Sequence, residues 1–287
     1  MPSPLVTADE LAALISRPEA SDSLRIVDCR FSLADPEAGR VAFDAGHVPH
    51  AVYASLERDL SAEVVPGKTG RHPLPSVEVL ARRLGELGIG NDSDVIVYDD
   101  ASGAMAARLW WLLRYLGHER VRLLDGGFAA WTAEGRPVST ESASGVPATF
   151  VPHPRPELLA SAEEVDALRV RDDERVFDAR APERYTGEVE PIDPVAGHIA
   201  GARSFPFAFN LQGGHFSPPE VVRAAFTAAL GGVGAERAVV YCGSGVTACH
   251  LVLAADHAGL PLPKLYAGSF SEWITDPRRP VARGSGR

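Results

Sequence analysis

Short runs of apolar residues alternate with longer amphipathic stretches along the whole chain. Runs such as Leu24–Arg30 (LRIVDCR) and Asp94–Asp100 (DVIVYDD) are rich in Val, Ile and Leu, which is typical of strands buried on both faces. Ser76–Leu87 and Pro218–Leu230 have the apolar spacing of helices. Strands that alternate with helices predict the α/β class, with a parallel sheet flanked by helices on both faces.

This pattern occurs twice along the chain, and the two copies are about 145 residues apart. The pairs, in chain order, are LRIVDCR with ERVFDAR, AGHVPHA with AGHIAGA, DVIVYDD with RAVVYCG, and LDGGFAAW with YAGSFSEW. Two tandem domains are therefore predicted, over residues 1–140 and 157–287. Residues 141–156 are rich in Ser, Gly and Pro and are predicted to be the linker.

Composition narrows the class of protein. With 287 residues, 45% of them hydrophobic and 23% charged, the chain has the profile of a globular protein. A net charge of -10 argues against nucleic acid as a partner. The beginning of the chain lacks a signal-peptide pattern, and no apolar run approaches the roughly 20 residues that span a bilayer. We expect a cytoplasmic protein without a membrane partner.

The two halves differ at the end of one apolar run. The first half has Asp99 there, whereas the second half has Cys242, followed by GSGVTA. In open parallel sheets, ligands bind beyond the carboxyl ends of the strands. The three cysteines of the chain do not have the spacing of a zinc site, so no metal is expected and one reactive thiol is the better hypothesis.

The residues after Cys242 suit an anion. Gly243 and Gly245 allow backbone conformations that point successive N–H groups at one centre, and the next helix adds its unpaired amides. Such a loop favours a thiolate over a thiol. The alternative is that Cys242 is a buried, inert cysteine that ends a strand.

These motifs resemble the tandem-domain thiosulfate and 3-mercaptopyruvate sulfurtransferases of the rhodanese superfamily, over nearly the whole chain. The resemblance implies a catalytically silent first domain and a second domain in which Cys242 carries sulfur as a persulfide. CGSGVTA looks like the loop of the mercaptopyruvate branch, since the thiosulfate branch has a basic loop. The loop residues Gly243, Gly245, Val246 and Thr247 would then bind substrate.

The resemblance also implies roles for individual side chains. Ser244 would hydrogen-bond the substrate or the departing enolate, although a serine between two glycines is often only a turn residue. Arg184, in APERYTG, matches the arginine that binds the acid group of the substrate; a surface salt bridge is the alternative. A second arginine is usual in the following segment, but this chain has Ile192 there. The preference between 3-mercaptopyruvate and thiosulfate is therefore left open.

The first half would contribute a histidine and an acidic residue that face the loop. His72 in GRHPLP matches the histidine, and Glu57 in SLERDLS is the nearest acidic counterpart. His72 would donate a proton to the pyruvate enolate, because histidine exchanges protons near neutral pH. Capping of loop backbone groups is the alternative role for His72.

The implied reaction is a two-step transfer from a small anionic sulfur donor to a thiol or thioredoxin-like acceptor, without a cofactor. Phosphatases share this fold, but their loop ends in an arginine, and none occurs from Gly243 to His250. A non-catalytic binding module is the remaining alternative. Residues that recur in both halves are assigned to structure: Asp28, Arg30, His47, Asp178, Arg180 and His198.

Overall fold

The computed structural model describes residues 3–17, 23–141, 143 and 146–285. Ser142, Ser144 and Gly145 of the predicted linker, and the first two residues of the chain, lie outside the described residues. The chain forms two compact units, and each combines separate segments. The first unit comprises Met1–Ala62, Pro75–Arg155 and Gly213–Phe216, and the second comprises Glu63–Leu74, Pro156–Gln212 and Ser217–Arg287.

Helices and strands alternate through both units. The helices in the described residues are α1 (Ala8–Ile15), α2 (Ala38–Ala45), α3 (Val77–Glu86), α4 (Ala106–Tyr115), α5 (Gly127–Ala133), α6 (Ala162–Leu168), α7 (Pro182–Thr186), α8 (Pro219–Leu230), α9 (Ala248–His257) and α10 (Ser269–Trp273). The strands are β1 (Leu5–Val6), β2 (Leu24–Asp28), β3 (Ala51–Tyr53), β4 (Asp94–Tyr98), β5 (Val121–Leu124), β6 (Arg175–Asp178), β7 (His198–Ile199), β8 (Arg203–Ser204), β9 (Leu211–Gln212), β10 (His215–Phe216), β11 (Ala238–Tyr241), β12 (Lys264–Leu265) and β13 (Val281–Ala282). Single 3-10 turns cover Pro156–Leu158, Phe207–Asn210 and Ala235–Arg237.

Each unit is built on a parallel sheet. The strand order is β1-β5-β4-β2-β3 in the first unit and β12-β11-β6-β8 in the second. All neighbouring strands in these two sheets run parallel. The predicted α/β class with two similar domains is thus confirmed. The strands that precede Asp99 and Cys242, β4 and β11, both lie in the interior of their sheets.

Local sequence explains where several helices begin. Thr7 and Glu10 form a reciprocal capping box at the start of α1. The side chains of Ser76 and Ser161 accept backbone N–H groups at the starts of α3 and α6. Gly231, in the left-handed conformation, follows the end of α8. No helix in the described part of the chain is long and apolar enough to cross a membrane.

Each unit contains the same buried network of polar side chains. Arg30 binds Asp28 and the carbonyl of Gly46, and Arg180 binds Asp178 and the carbonyl of Gly197. His47 and His198 are buried, and in each case Nδ1 lies 2.8 Å from a backbone oxygen. These contacts satisfy buried polar groups within each half, as expected for structural residues.

Candidate active site

Cys242 follows β11 directly and is 2% exposed. Its backbone N–H donates to Ser269 Oγ at 3.1 Å, and its carbonyl accepts the N–H of Phe270 at 3.0 Å. Ser269 has a φ of 56°, a conformation that non-glycine residues rarely adopt. Its hydroxyl also donates to the Tyr266 carbonyl at 2.9 Å. The backbone at Cys242 is therefore held from the segment that begins α10.

The loop after Cys242 turns back on the sulfur atom. The N–H of Gly245 lies 3.2 Å from Cys242 Sγ. Gly245 has a φ of 76°, and a Cβ atom there would lie 2.1 Å from the carbonyl oxygen of Ala267. The Cys249 thiol is buried and donates to the Gly245 carbonyl at 3.3 Å. Only glycine fits at 245, and its placement brings a backbone donor to the sulfur atom.

The loop then enters a helix, as the sequence predicts. Val246 is buried and Thr247 is half-buried, and α9 begins at the next residue. Their carbonyls accept the N–H groups of Cys249 and His250 at 3.1 and 3.2 Å. Val246 and Thr247 thus form the junction between the loop and the helix.

His72 and Ser244 are in contact. His72 Nδ1 lies 2.9 Å from Ser244 Oγ, and both side chains are buried. His72 belongs to the first sequence repeat, yet its segment, Glu63–Leu74, is part of the second compact unit. The hydroxyl can pass a proton along this contact, with the imidazole as donor or acceptor according to its tautomer.

Arg184 lies on α7 and is held by two acidic side chains. Its Nη2 donates to Glu190 Oε1 at 2.8 Å and to Asp193 Oδ2 at 2.9 Å. Burial raises the pKa of Glu190, but the hydrogen bond from Arg184 and the N–H groups of Asp193 and Ile192 outweigh that effect and lower it. The side chain of Ile192 itself is 40% exposed. Glu190 is therefore a carboxylate that orients Arg184.

Arg184 also borders the loop. A Cβ atom on Gly243 would lie 3.5 Å from Arg184 Nη1 and 3.6 Å from Nη2. The guanidinium thus faces the residue next to Cys242. Within the second unit, the structure brings together Cys242, Ser244, His72 and Arg184 around one loop.

Glu57 lies in the first unit, on an exposed turn between β3 and α3. Its role in proton transfer stays a prediction. Among the described residues, no group of three or more His, Cys, Asp or Glu is placed to hold a metal ion.

Besides Glu190, three further residues of this region were not singled out by the sequence. Arg71 pairs with Asp193 through Nη1, and Ser269 holds the backbone of Cys242. Arg71 directly precedes His72 in GRHPLP, so the motif that identified the histidine also contained it. Ser269 lies in YAGSFSEW at the position that Gly127 has in LDGGFAAW, and both have positive φ. The sequence thus shows that a serine replaces a glycine at this position, but it does not show that the serine keeps the positive φ.

Asp99 fills the corresponding loop of the first unit. Its Oδ1 accepts the N–H groups of Ala101 and Gly103 at 2.8 Å. Its Oδ2 accepts those of Met105 and Ala106 at 2.7 and 2.8 Å. The Asp99 carbonyl accepts the N–H of Phe128, as the Cys242 carbonyl accepts that of Phe270. The backbone of both loops is thus arranged in one way, but the loop of the first unit is filled by the Asp99 carboxyl group of the chain itself.

Comparison with known proteins places these observations in a family. The rhodanese-like domain model matches residues 7–134 and 161–276. The chain is 51% identical to a probable 3-mercaptopyruvate sulfurtransferase of Pseudomonas aeruginosa over 98% of each chain. It is 40% identical to a putative thiosulfate sulfurtransferase of Mycobacterium tuberculosis, over 98% of this chain and 97% of the relative. The crystal structure of the Escherichia coli 3-mercaptopyruvate sulfotransferase SseA has a TM-score of 0.79 and 32% identity, with 94% of this chain and 100% of that chain covered.

Proposed function

The chain belongs to the rhodanese family of sulfurtransferases, and we propose that it moves sulfur from 3-mercaptopyruvate to a thiol acceptor through a persulfide on Cys242. The observation that carries this proposal is the N–H of Gly245, which lies 3.2 Å from Cys242 Sγ. A backbone donor at that distance stabilises a thiolate or a persulfide anion. The loop sequence CGSGVTA favours 3-mercaptopyruvate as the donor.

The first step forms the persulfide. The Cys242 thiolate attacks the donor sulfur, a sulfur–sulfur bond forms, and the carbon–sulfur bond of the donor breaks. Its electron pair goes to the carbon atom, so that the product leaves as the enolate of pyruvate. Arg184 binds the carboxylate of the donor, because a guanidinium matches two carboxylate oxygens. The donor lies against the loop residues Gly243, Gly245, Val246 and Thr247.

The enolate needs a proton to become pyruvate. In the proposal, Ser244 Oγ donates a hydrogen bond to the enolate, and His72, 2.9 Å from that oxygen, supplies the proton. Glu57 is proposed to assist this transfer. In the second step, the thiolate of a small thiol or a thioredoxin-like protein attacks the outer sulfur and releases Cys242.

Thiosulfate is the second candidate donor. The 40% identity to a protein named as a thiosulfate sulfurtransferase favours it, as does the presence of Ile192 in place of a second arginine. A non-catalytic binding module is a third candidate function. The intact loop after Cys242 argues against it.

The test compares sulfur transfer from both donors in wild type, Cys242→Ala and Cys29→Ala. Cys29 is a matched control, since it is a buried cysteine of the first unit. We expect turnover with 3-mercaptopyruvate, and a mass gain of about 32 Da for one persulfide sulfur, in wild type and Cys29→Ala only. Preference for thiosulfate would overturn the choice of donor. Folded wild type without turnover or sulfur adduct would overturn the enzyme proposal.

A further inference from the structure

Two guanidinium groups converge on Gly243, the residue after Cys242. A Cβ atom on Gly243 would lie 2.8 Å from Arg71 Nη2, closer than to either terminal nitrogen of Arg184. Since both arginines reach the same point, a ligand beside Cys242 meets two cations.

Arg71 is held in this position from both ends. Its Nη1 pairs with Oδ1 of Asp193, whose other oxygen accepts Arg184 Nη2 at 2.9 Å. The side chain of Asp193 is 1% exposed, so one buried carboxylate spaces the two guanidinium groups. At the backbone, the N–H of Arg71 donates to Ser271 Oγ at 3.1 Å. Arg71 is thus a fixed element of the second unit, unlike a flexible surface side chain.

The side chain of Arg71 also has an unused donor. Its Nε is buried and has no hydrogen-bond partner among the described residues. A buried N–H without an acceptor is unfavourable, and a carboxylate bound beside the loop would supply an acceptor to this side chain. A guanidinium carries five N–H donors in a plane, and carboxylates are the groups that best accept two of them.

We propose that Arg71 is the second cation that binds the donor, together with Arg184, and that Asp193 is the residue that positions both. This inference rests on the proposed function. Arg71 supplies the second positive charge of the site, which the uncharged Ile192 does not provide. The ligand that fits is a 2-oxo acid, because its carboxylate and the adjacent carbonyl present oxygen acceptors to two guanidinium groups on one side of the reacting sulfur.

The test is steady-state kinetics of Arg71→Gln with 3-mercaptopyruvate and pyruvate as a competing 2-oxo acid. We expect KM and the pyruvate inhibition constant to rise together, by about 10- to 100-fold, as for loss of a charged hydrogen bond. The change in kcat should be smaller, because Arg71 contacts the donor in the ground state as well as the transition state. Arg171→Gln, which removes an exposed arginine of the same unit, is the matched control and should leave both constants unchanged.

Arg71→Lys separates binding from folding. Lysine keeps the charge that pairs with Asp193 but cannot donate two parallel hydrogen bonds, so we expect an intermediate rise in KM with an unchanged melting temperature. If wild type turns over and both Arg71 variants keep its KM and pyruvate inhibition, the role of Arg71 is overturned. In that case the persulfide on Cys242 stands. Absence of any sulfur adduct on wild type would instead remove the proposed function itself.

Discussion

His72 Nδ1 and Ser244 Oγ lie 2.9 Å apart although 172 positions separate the two residues along the chain. Both are buried, and Ser244 is two positions from Cys242. A short contact between a hydroxyl and an imidazole provides a route for a proton to a group bound at the loop. If the pair works as one unit, loss of either member should remove most of the benefit of the other.

We therefore expect His72→Gln and Ser244→Ala to be strongly non-additive. The kcat/KM of the double variant should be only a little lower than that of the more impaired single variant, which corresponds to a coupling energy of about 1–2 kcal/mol. His215→Gln, an exposed histidine of the first unit, should be additive with Ser244→Ala. Single-turnover pyruvate release would report the effect on the protonation step. Additive losses for His72 and Ser244 would contradict a shared proton route.

Alanine at the two loop glycines should have opposite consequences. At Gly245, a Cβ atom would meet the Ala267 carbonyl oxygen at 2.1 Å and the φ is positive, so we expect a loss of at least about 2 kcal/mol in unfolding free energy. At Gly243, the three atoms nearest to the Cβ would all be terminal nitrogens of the Arg71 and Arg184 side chains. Gly243→Ala should keep stability to within about 1 kcal/mol but raise KM, because it displaces those side chains.

Gly67→Ala is the control for backbone strain alone. Its φ is 73° and nothing lies within 4 Å of a Cβ there, so urea unfolding should show a loss of about 1 kcal/mol. Equal losses for Gly67→Ala and Gly245→Ala would mean that the contact with Ala267 is not rigid. A stable Gly243→Ala protein with wild-type KM would show that the two arginines are not needed in their observed places.

Asp99 should stabilise the first unit through the four backbone N–H groups that its side chain accepts. Burial raises the pKa of the Asp99 carboxyl above its usual value, although the four N–H groups that it accepts act in the opposite direction. Since each oxygen accepts two N–H groups, an amide NH2 group in place of either oxygen would face two donors without an acceptor. Asp99→Asn should therefore cost about 2–4 kcal/mol of unfolding free energy.

The neighbouring Asp100→Asn is a matched control, because Asp100 is exposed. It should change the free energy by no more than about 0.5 kcal/mol in the same urea titration. An Asp99→Asn protein as stable as wild type would show that the loop does not require an acceptor at both oxygen positions.

Much of the fold could be predicted because the repeat and the apolar runs are local signals. Four of the five interior strands of the two parallel sheets, β2, β4, β6 and β11, lie within the apolar runs that the sequence shows. By contrast, β7 and β13 contain only two residues each and pair antiparallel with one another, from positions 82 or more apart. Such elements form because tertiary contacts bring them together, and no strand-like run of apolar residues marks them, although β7 lies in the repeated motif AGHIAGA.

Some residues of the candidate site could likewise be predicted from the sequence, and others could not. Cys242 and the loop glycines could be found because they lie in one continuous motif after a predicted strand. Arg71 could not be paired with Asp193 from sequence, since the segment Glu63–Leu74 joins the second unit only through the tertiary fold. The conformation of Ser269 was likewise hidden, because a positive φ in a serine is set by its surroundings and contradicts its own preference.

Glu190 should make the second unit sensitive to acid. Its pKa in the folded protein is lowered, since the hydrogen bonds from Arg184 and two backbone N–H groups outweigh the effect of burial. A group with a lowered folded pKa contributes stability above its ordinary value, about 4.3 for glutamate, and that contribution is lost as the pH falls through the folded value. The advantage of wild type over Glu190→Gln should therefore be largest at neutral pH and shrink below the ordinary glutamate pKa.

Unfolding free energies measured in urea from neutral to acidic pH would check this. Glu188→Gln is the matched control, because Glu188 is exposed and two positions away, and its difference from wild type should vary little with pH. KM should also be measured at mildly acidic pH, where wild type is still folded. We expect a higher KM for Glu190→Gln than for wild type, because Arg184 loses the carboxylate that orients it. A constant difference between wild type and Glu190→Gln across the acidic range would contradict the ionised pair.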